Sequence, residues 1–104
     1  MRTMRIYKEY FDLIKKGVKT LEIRVAYSSM KSIQVGSSIK FNDDPDCVRR
    51  VVGVREYASF EEMLSKEDPQ KINPLQSAEL QLIALRKIFP REKEQLGVLV
   101  FELT

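Results

Sequence analysis

Leu21, Ile23 and Val25 alternate with Thr20, Glu22 and Arg24. Period two with branched apolar residues predicts a half-buried strand. Just upstream, Tyr7, Tyr10, Phe11 and Ile14 recur at helical spacing, with Lys8, Asp12, Lys15 and Lys16 on the other side. That pattern predicts a short amphipathic helix ending at Gly17, where a left-handed residue closes such helices. MRTMRIY before it is short, basic and compatible with a first strand. Residues 26–38 read as a loop anchored by Ile33 and Val35, and SIKFN follows as a strand. NDDPD is a turn, because Asn and Asp bond their own backbone and Pro45 fixes φ. CVRRVVGVREYA reads as a long strand whose alternation slips at Gly53, the mark of a bulge or bend.

The second half of the chain is more helical. Ser59-x-x-Glu62 is a capping box that opens a short helix, which Pro69 stops. Ser77 caps SAELQLIALRKIFP, whose apolar stripe runs through Ala78, Leu82, Leu85 and Phe89 and is widened by Leu80, Ile83 and Ile88. A helix this apolar is expected to be buried on much of its surface. GVLVFELT closes the chain as a strand. Strand runs separated by helices indicate α+β rather than alternating βαβ units. A final strand returning to a bulged meander suits a small, partly closed barrel. The 104 residues fit one domain, 1–104, with no linker or repeat.

Composition removes several chemistries. There is no histidine and one cysteine, Cys47. A Ser–His–Asp triad is therefore excluded, and a metal site or cofactor is not expected. No stretch is apolar enough for a signal peptide or a membrane helix, so a cytoplasmic location is expected and no membrane partner. Charge is uneven beneath a net +3. Residues 1–42 hold nine Lys or Arg against three acids, whereas residues 43–68 hold four against eight. A local positive field favours anionic partners.

The basic half contains the densest candidate chemistry. On an extended strand Thr20, Glu22 and Arg24 project from one face, about 7 Å apart along it. Lys19 has the opposite parity but lies two residues past Gly17, where the chain can still turn it to either side. A cation, a hydroxyl, a carboxylate and a guanidinium together can hold a base edge, a phosphate or an amide. The competing reading is a solvated strand face with a weak Glu–Arg pair. Tyr57 is either core or a ring for stacking a base. Asp43, Asp44 and Asp46 lack the glycine and glutamate of a calcium loop, and Cys47 reads as apolar filler.

The run Gly17-x-Lys19-Thr20-x-Glu22-x-Arg24 resembles the signature of the ASCH family, a branch of the PUA-like superfamily. Val35-Gly36-x-x-Ile39-x-Phe41-Asn42, Tyr57-x-Ser59-Phe60-Glu61-Glu62-Met63-Leu64, Ile88-Phe89-Pro90 and Gly97-Val98-Leu99-Val100 continue the resemblance in order over about ninety residues. The resemblance implies a small, mostly antiparallel β-barrel of five or six strands flanked by about three helices. It also implies a cleft at the motif strand and RNA, a nucleotide or a nucleoside as partner. Lys19, Thr20, Glu22, Arg24, Asn42 and Tyr57 are the implied ligand contacts. One subfamily hydrolyses the acetyl amide of 4-acetylcytidine through a motif G-x-K-T-x-T-x-R, with a lysine activating the second threonine and a helper glutamate downstream. Here Glu22 occupies the nucleophile's place. The helper region reads Asn73-Pro74-Leu75-Gln76, and the nearest acid is Glu79. Binding is therefore the leading expectation. A metal-independent amide hydrolase or ribonuclease, with Lys19 and Glu22 as acid and base, is the alternative. A protein-interaction module is the third.

Overall fold

A computed structural model describes all 104 residues. The elements run β1 (Arg2–Met4), α1 (Lys8–Lys15), β2 (Leu21–Val25), α2 (Ser28–Lys31), β3 (Ser38–Phe41) and β4 (Val48–Tyr57). They continue with α3 (Phe60–Lys66), α4 (Pro69–Ile72), α5 (Ala78–Ile88), α6 (Arg91–Glu94) and β5 (Val98–Leu103). Three helices exceed one turn or so, α1, α3 and α5, while α2, α4 and α6 have four residues each. The five strands form one mixed sheet in the order β1-β3-β4-β5-β2. Only β1 and β3 are parallel.

The closing strand of the chain is thus interior to the sheet, between β4 and β2. That is why VLVFEL is apolar at nearly every position: both of its faces are covered. Leu99, Phe101 and Leu103 pack with Met4, Ile14, Ile39, Phe41 and Val51 on one side. Val98 and Val100 pack with Leu21, Ile23, Val25, Phe60, Met63, Ile72 and Leu85 on the other. The slip expected at Gly53 is a register shift between Val51 and Gly53 opposite Leu103 and Glu102. A Cβ on Gly53 would lie 3.0 Å from Arg55 Nη1 and 3.1 Å from Glu102 Oε1. The glycine therefore leaves room for the 2.9 Å Arg55–Glu102 ion pair.

The sheet does not close by a backbone ladder. Its two outer strands, β1 and β2, are joined where Arg24 Nη2 donates to the carbonyl of Arg5, just past β1, at 3.2 Å. The result is a curved, barrel-like sheet with a seam along β2.

Some local expectations need correction. The 26–38 loop contains the single-turn α2, and Val35 is exposed at the turn before Gly36 while Ile33 is buried. Pro69 stops α3 yet also opens α4. Asp68 accepts from Gln70 N at 2.9 Å, and proline is preorganised for a first helical position. Helix α5 is less buried than its composition suggests. Only Gln81 and Leu85 are buried, and Leu80 and Ile83 are each 53% exposed. The helix packs as an outer layer on α3 and the cleft, with nothing on its far side.

The carboxylate of Glu94 is buried under this layer. It accepts from the Phe60 N–H at 3.0 Å and pairs with Arg86 at 3.3 Å. Burial pushes its pKa up, but Arg86 and the Phe60 amide outweigh burial and hold it below the ordinary value. Glu67 is likewise held low, by Arg55 first. A depressed carboxylate pKa stabilises the fold above the unfolded value of about 4.3 and loses that contribution as pH falls through the folded value. Glu94→Ala is expected to cost about 1–3 kcal/mol in urea unfolding. It should also flatten the fall in stability of the parent chain below about pH 5.

Candidate functional site

Gly17, at φ +79°, ends α1, and the next two amides both return to the carbonyl of Leu13. This tight exit turns the Lys19 side chain inward beside β2. Lys19 is 5% exposed. Its Nζ donates to the carbonyls of Leu21 at 2.6 Å and Ile72 at 3.1 Å, and lies 3.4 Å from Glu22 Oε1. The Tyr10 ring centroid is 5.9 Å from the same nitrogen. Glu22 Oε2 accepts from Arg24 Nε at 2.9 Å, so one buried carboxylate sits between two cations. Burial pushes the Lys19 ammonium below its ordinary pKa, and the Glu22 carboxylate pulls part of that back.

These three side chains share one cleft of about 370 Å³. Glu22, Arg24 and Lys19, with Tyr10, form its polar side. Ile72, Leu85, Ile88 and Phe89 form an apolar wall from α4, α5 and the residue after α5. Arg5 and Tyr7 stand at its margin, both exposed, Tyr7 by 61%. The Arg5 guanidinium has no ion-pair or hydrogen-bond partner within the chain. Tyr7 and Tyr10 lie 6.1 Å apart, tilted by 59°.

The remaining candidates lie elsewhere. Thr20, one residue before β2, has its amide bonded to the Lys71 carbonyl and its carbonyl to the Leu103 amide. It lines a separate depression beside Arg55, Glu67 and Lys71. Asn42, at φ +52°, accepts from Ile6 N at 2.8 Å and donates to Ile6 O at 3.1 Å. Both ends of its amide are thus spent clamping the chain just before the cleft. The Tyr57 hydroxyl donates to Glu67, outside the cleft. No group of three His, Cys, Asp or Glu side chains is placed to hold a metal ion. Cys47 is buried, and burial pushes its thiol up.

The opposite wall holds residues that strand reasoning does not reach. Asn73 and Gln76, where the acetylcytidine hydrolases would carry their glutamate, line the cleft, while Glu79 does not. Gln81 is 2% exposed and lines it too. The available signal was a lone amide among the apolar positions of α5.

A family model described as the ASCH domain matches residues 4–104. The chain therefore belongs to the ASCH domain family. A crystal structure of hypothetical protein PH0355 superposes with a TM-score of 0.90 at 33% identity, covering 99% of this chain and 97% of that one. The solution structure of PF0455 from Pyrococcus furiosus gives 0.81 at 32% identity, covering 98% and 94%. An ASCH protein from Zymomonas mobilis gives 0.65 at 15% identity, covering 98% of this chain and 65% of a longer one, a likeness of fold. No curated protein sequence matches the chain.

Replacing Lys19 leaves Glu22 and the Ile72 carbonyl short of a partner. Lys19→Met is expected to lower unfolding free energy by about 3–5 kcal/mol, as breaking a buried ion pair does. Lys15→Met, at an exposed pair with Asp44, should leave the unfolding midpoint close to that of the parent chain. Parallel denaturant titrations of the two variants check the contrast.

Proposed function

We propose that this ASCH domain binds RNA by taking one nucleotide into the cleft between β2 and the α4–α5 wall. The observation that carries the reading is the make-up of that cleft. It joins a nucleoside-sized volume, an apolar wall and a fixed Lys19–Glu22–Arg24 cluster, with a free guanidinium and an exposed ring at the margin. A flat heterocycle gains by leaving water for the apolar wall. Tyr7 offers a stacking face and Arg5 a fork for phosphate. The concave surface argues against a pure protein-interaction face at this motif.

Amide hydrolysis is the second reading, and the lowered pKa of Lys19 favours it. Against it stands the bonding of the same groups. Lys19 Nζ already has three acceptors, and Glu22 is held between two cations. Neither is free to move a proton without leaving its partners. Binding is therefore the stronger reading.

An unstructured fluorescent RNA should bind at low salt, with affinity falling linearly on a log–log plot against salt concentration. Arg5→Ala and Tyr7→Ala remove groups outside the buried cluster, and each should weaken binding about 5–50-fold without changing the unfolding midpoint. No binding at about 50 mM salt, or full affinity in the double variant, would overturn the proposal. Incubation with 4-acetylcytidine should release no acetate; release that disappears in Lys19→Arg would favour the hydrolase.

A further inference from the structure

We infer that the unpaired edge of β2 and the side-chain amide of Gln81 together read the hydrogen-bonding edge of an amino-bearing nucleobase. The inference rests on the nucleotide-binding reading and names the class of base. Its first support is ladder parity. Leu103 N donates to Thr20 O at 2.8 Å and Ala26 N to Gly97 O at 2.9 Å, one pair at each end of the β2–β5 register. In an antiparallel ladder the bonded pairs alternate with unbonded ones. Glu22 and Arg24 therefore exchange hydrogen bonds with β5, and Leu21, Ile23 and Val25 turn their amides and carbonyls to the outer edge. Two of these carbonyls are already used: Leu21 O accepts from Lys19 Nζ, and Val25 O accepts from Tyr27 N. Ile23 lies between them, lines the cleft, and keeps both its N–H and its C=O. One residue thus presents a donor beside an acceptor on the same strand edge.

The second support is Gln81, from the facing wall. Its Nε2 donates to the carbonyls of Pro69 at 2.8 Å, Asn73 at 3.0 Å and Gln76 at 3.1 Å. Turning the amide over would set Oε1 against three carbonyl oxygens, so the assignment of its two ends is fixed. Oε1 is the one buried side-chain polar atom in the chain without a partner. An acceptor buried and unpaired in a cleft wall is costly, and a ligand donor would recover that cost.

Among the buried residues lining the cleft, the unspent groups lean toward acceptance, Ile23 C=O and Gln81 Oε1 against Ile23 N–H, while the free donors of Arg5, Tyr7, Tyr10 and Gln76 sit on side chains that solvent reaches. A base with an exocyclic NH₂ next to a ring acceptor or carbonyl offers the complement. Its amine gives two hydrogens to the acceptors, and its ring nitrogen or oxygen takes the Ile23 amide. Cytosine, adenine and guanine have such an amine, and uracil has none.

Titration of the ¹⁵N-labelled full chain with CMP, AMP, GMP and UMP, read by amide NMR, tests this. At least one amino-bearing nucleotide should bind about tenfold or more tighter than UMP. At saturation the Ile23 amide should move downfield and exchange its hydrogen more slowly, while the Glu22 amide, already paired in the ladder, keeps its exchange rate. UMP binding as tightly as the others, or an Ile23 amide unmoved at saturation, overturns the inference. Binding of RNA with no response to any of the four monophosphates overturns it while leaving RNA binding intact. Absence of binding to both overturns the two together.

Discussion

A buried ammonium needs acceptors, and meeting that need at Lys19 organises this half of the molecule. Taking the charge out of water is worthwhile only where oxygen atoms replace its hydration. Two are backbone carbonyls, Leu21 O on the strand and Ile72 O at the end of α4, and the third belongs to Glu22. The lysine thus joins β2 to a four-residue helix that has little hydrophobic surface of its own. Gln81 repeats the device from α5, with one nitrogen on the carbonyls of Pro69, Asn73 and Gln76. The carbonyl-rich end of α4, which a short helix leaves unsatisfied, is held from two directions by side-chain nitrogens. The cleft lies between these two fastenings.

The same arrangement explains why the motif's members differ in role. Glu22 and Arg24 are strand neighbours on one face, and Arg24 reaches on to the Arg5 carbonyl across the seam. Lys19 joins them only because Gly17 lets the chain leave α1 tightly. Thr20 precedes the strand proper, and its backbone is committed to Lys71 and Leu103.

Legibility in the sequence tracked the range of the interaction. The alternation in β2, the capping box at Ser59 and the slip at Gly53 are local, and each was readable from a few residues. So was the charged face of Glu22 and Arg24. What depends on distant partners was not. Pro69 signals both a stop and a start, and Asp68 decides between them. The place of β5 inside the sheet is a pairing choice that its uniform apolarity only hints at. In the sequence Gln81 is one polar position on a largely apolar helix. Its importance comes from three carbonyls that the fold brings to it, two of them eight and twelve residues away.

The seam beside β2 bears on how the chain keeps to itself. An unpaired strand edge is a template for a strand from another molecule, and proteins usually blunt such edges with charge, brevity or a cover. All three are present here. The strand has five residues, carries Glu22 and Arg24, and is walled by α1 on one side and α4 and α5 on the other. A neighbouring strand needs a clear lane about 4.8 Å wide along several residues. The recess interrupts that lane with side chains while leaving a pocket for something short and flat. The walls that give the site its shape are thereby also a guard against self-association.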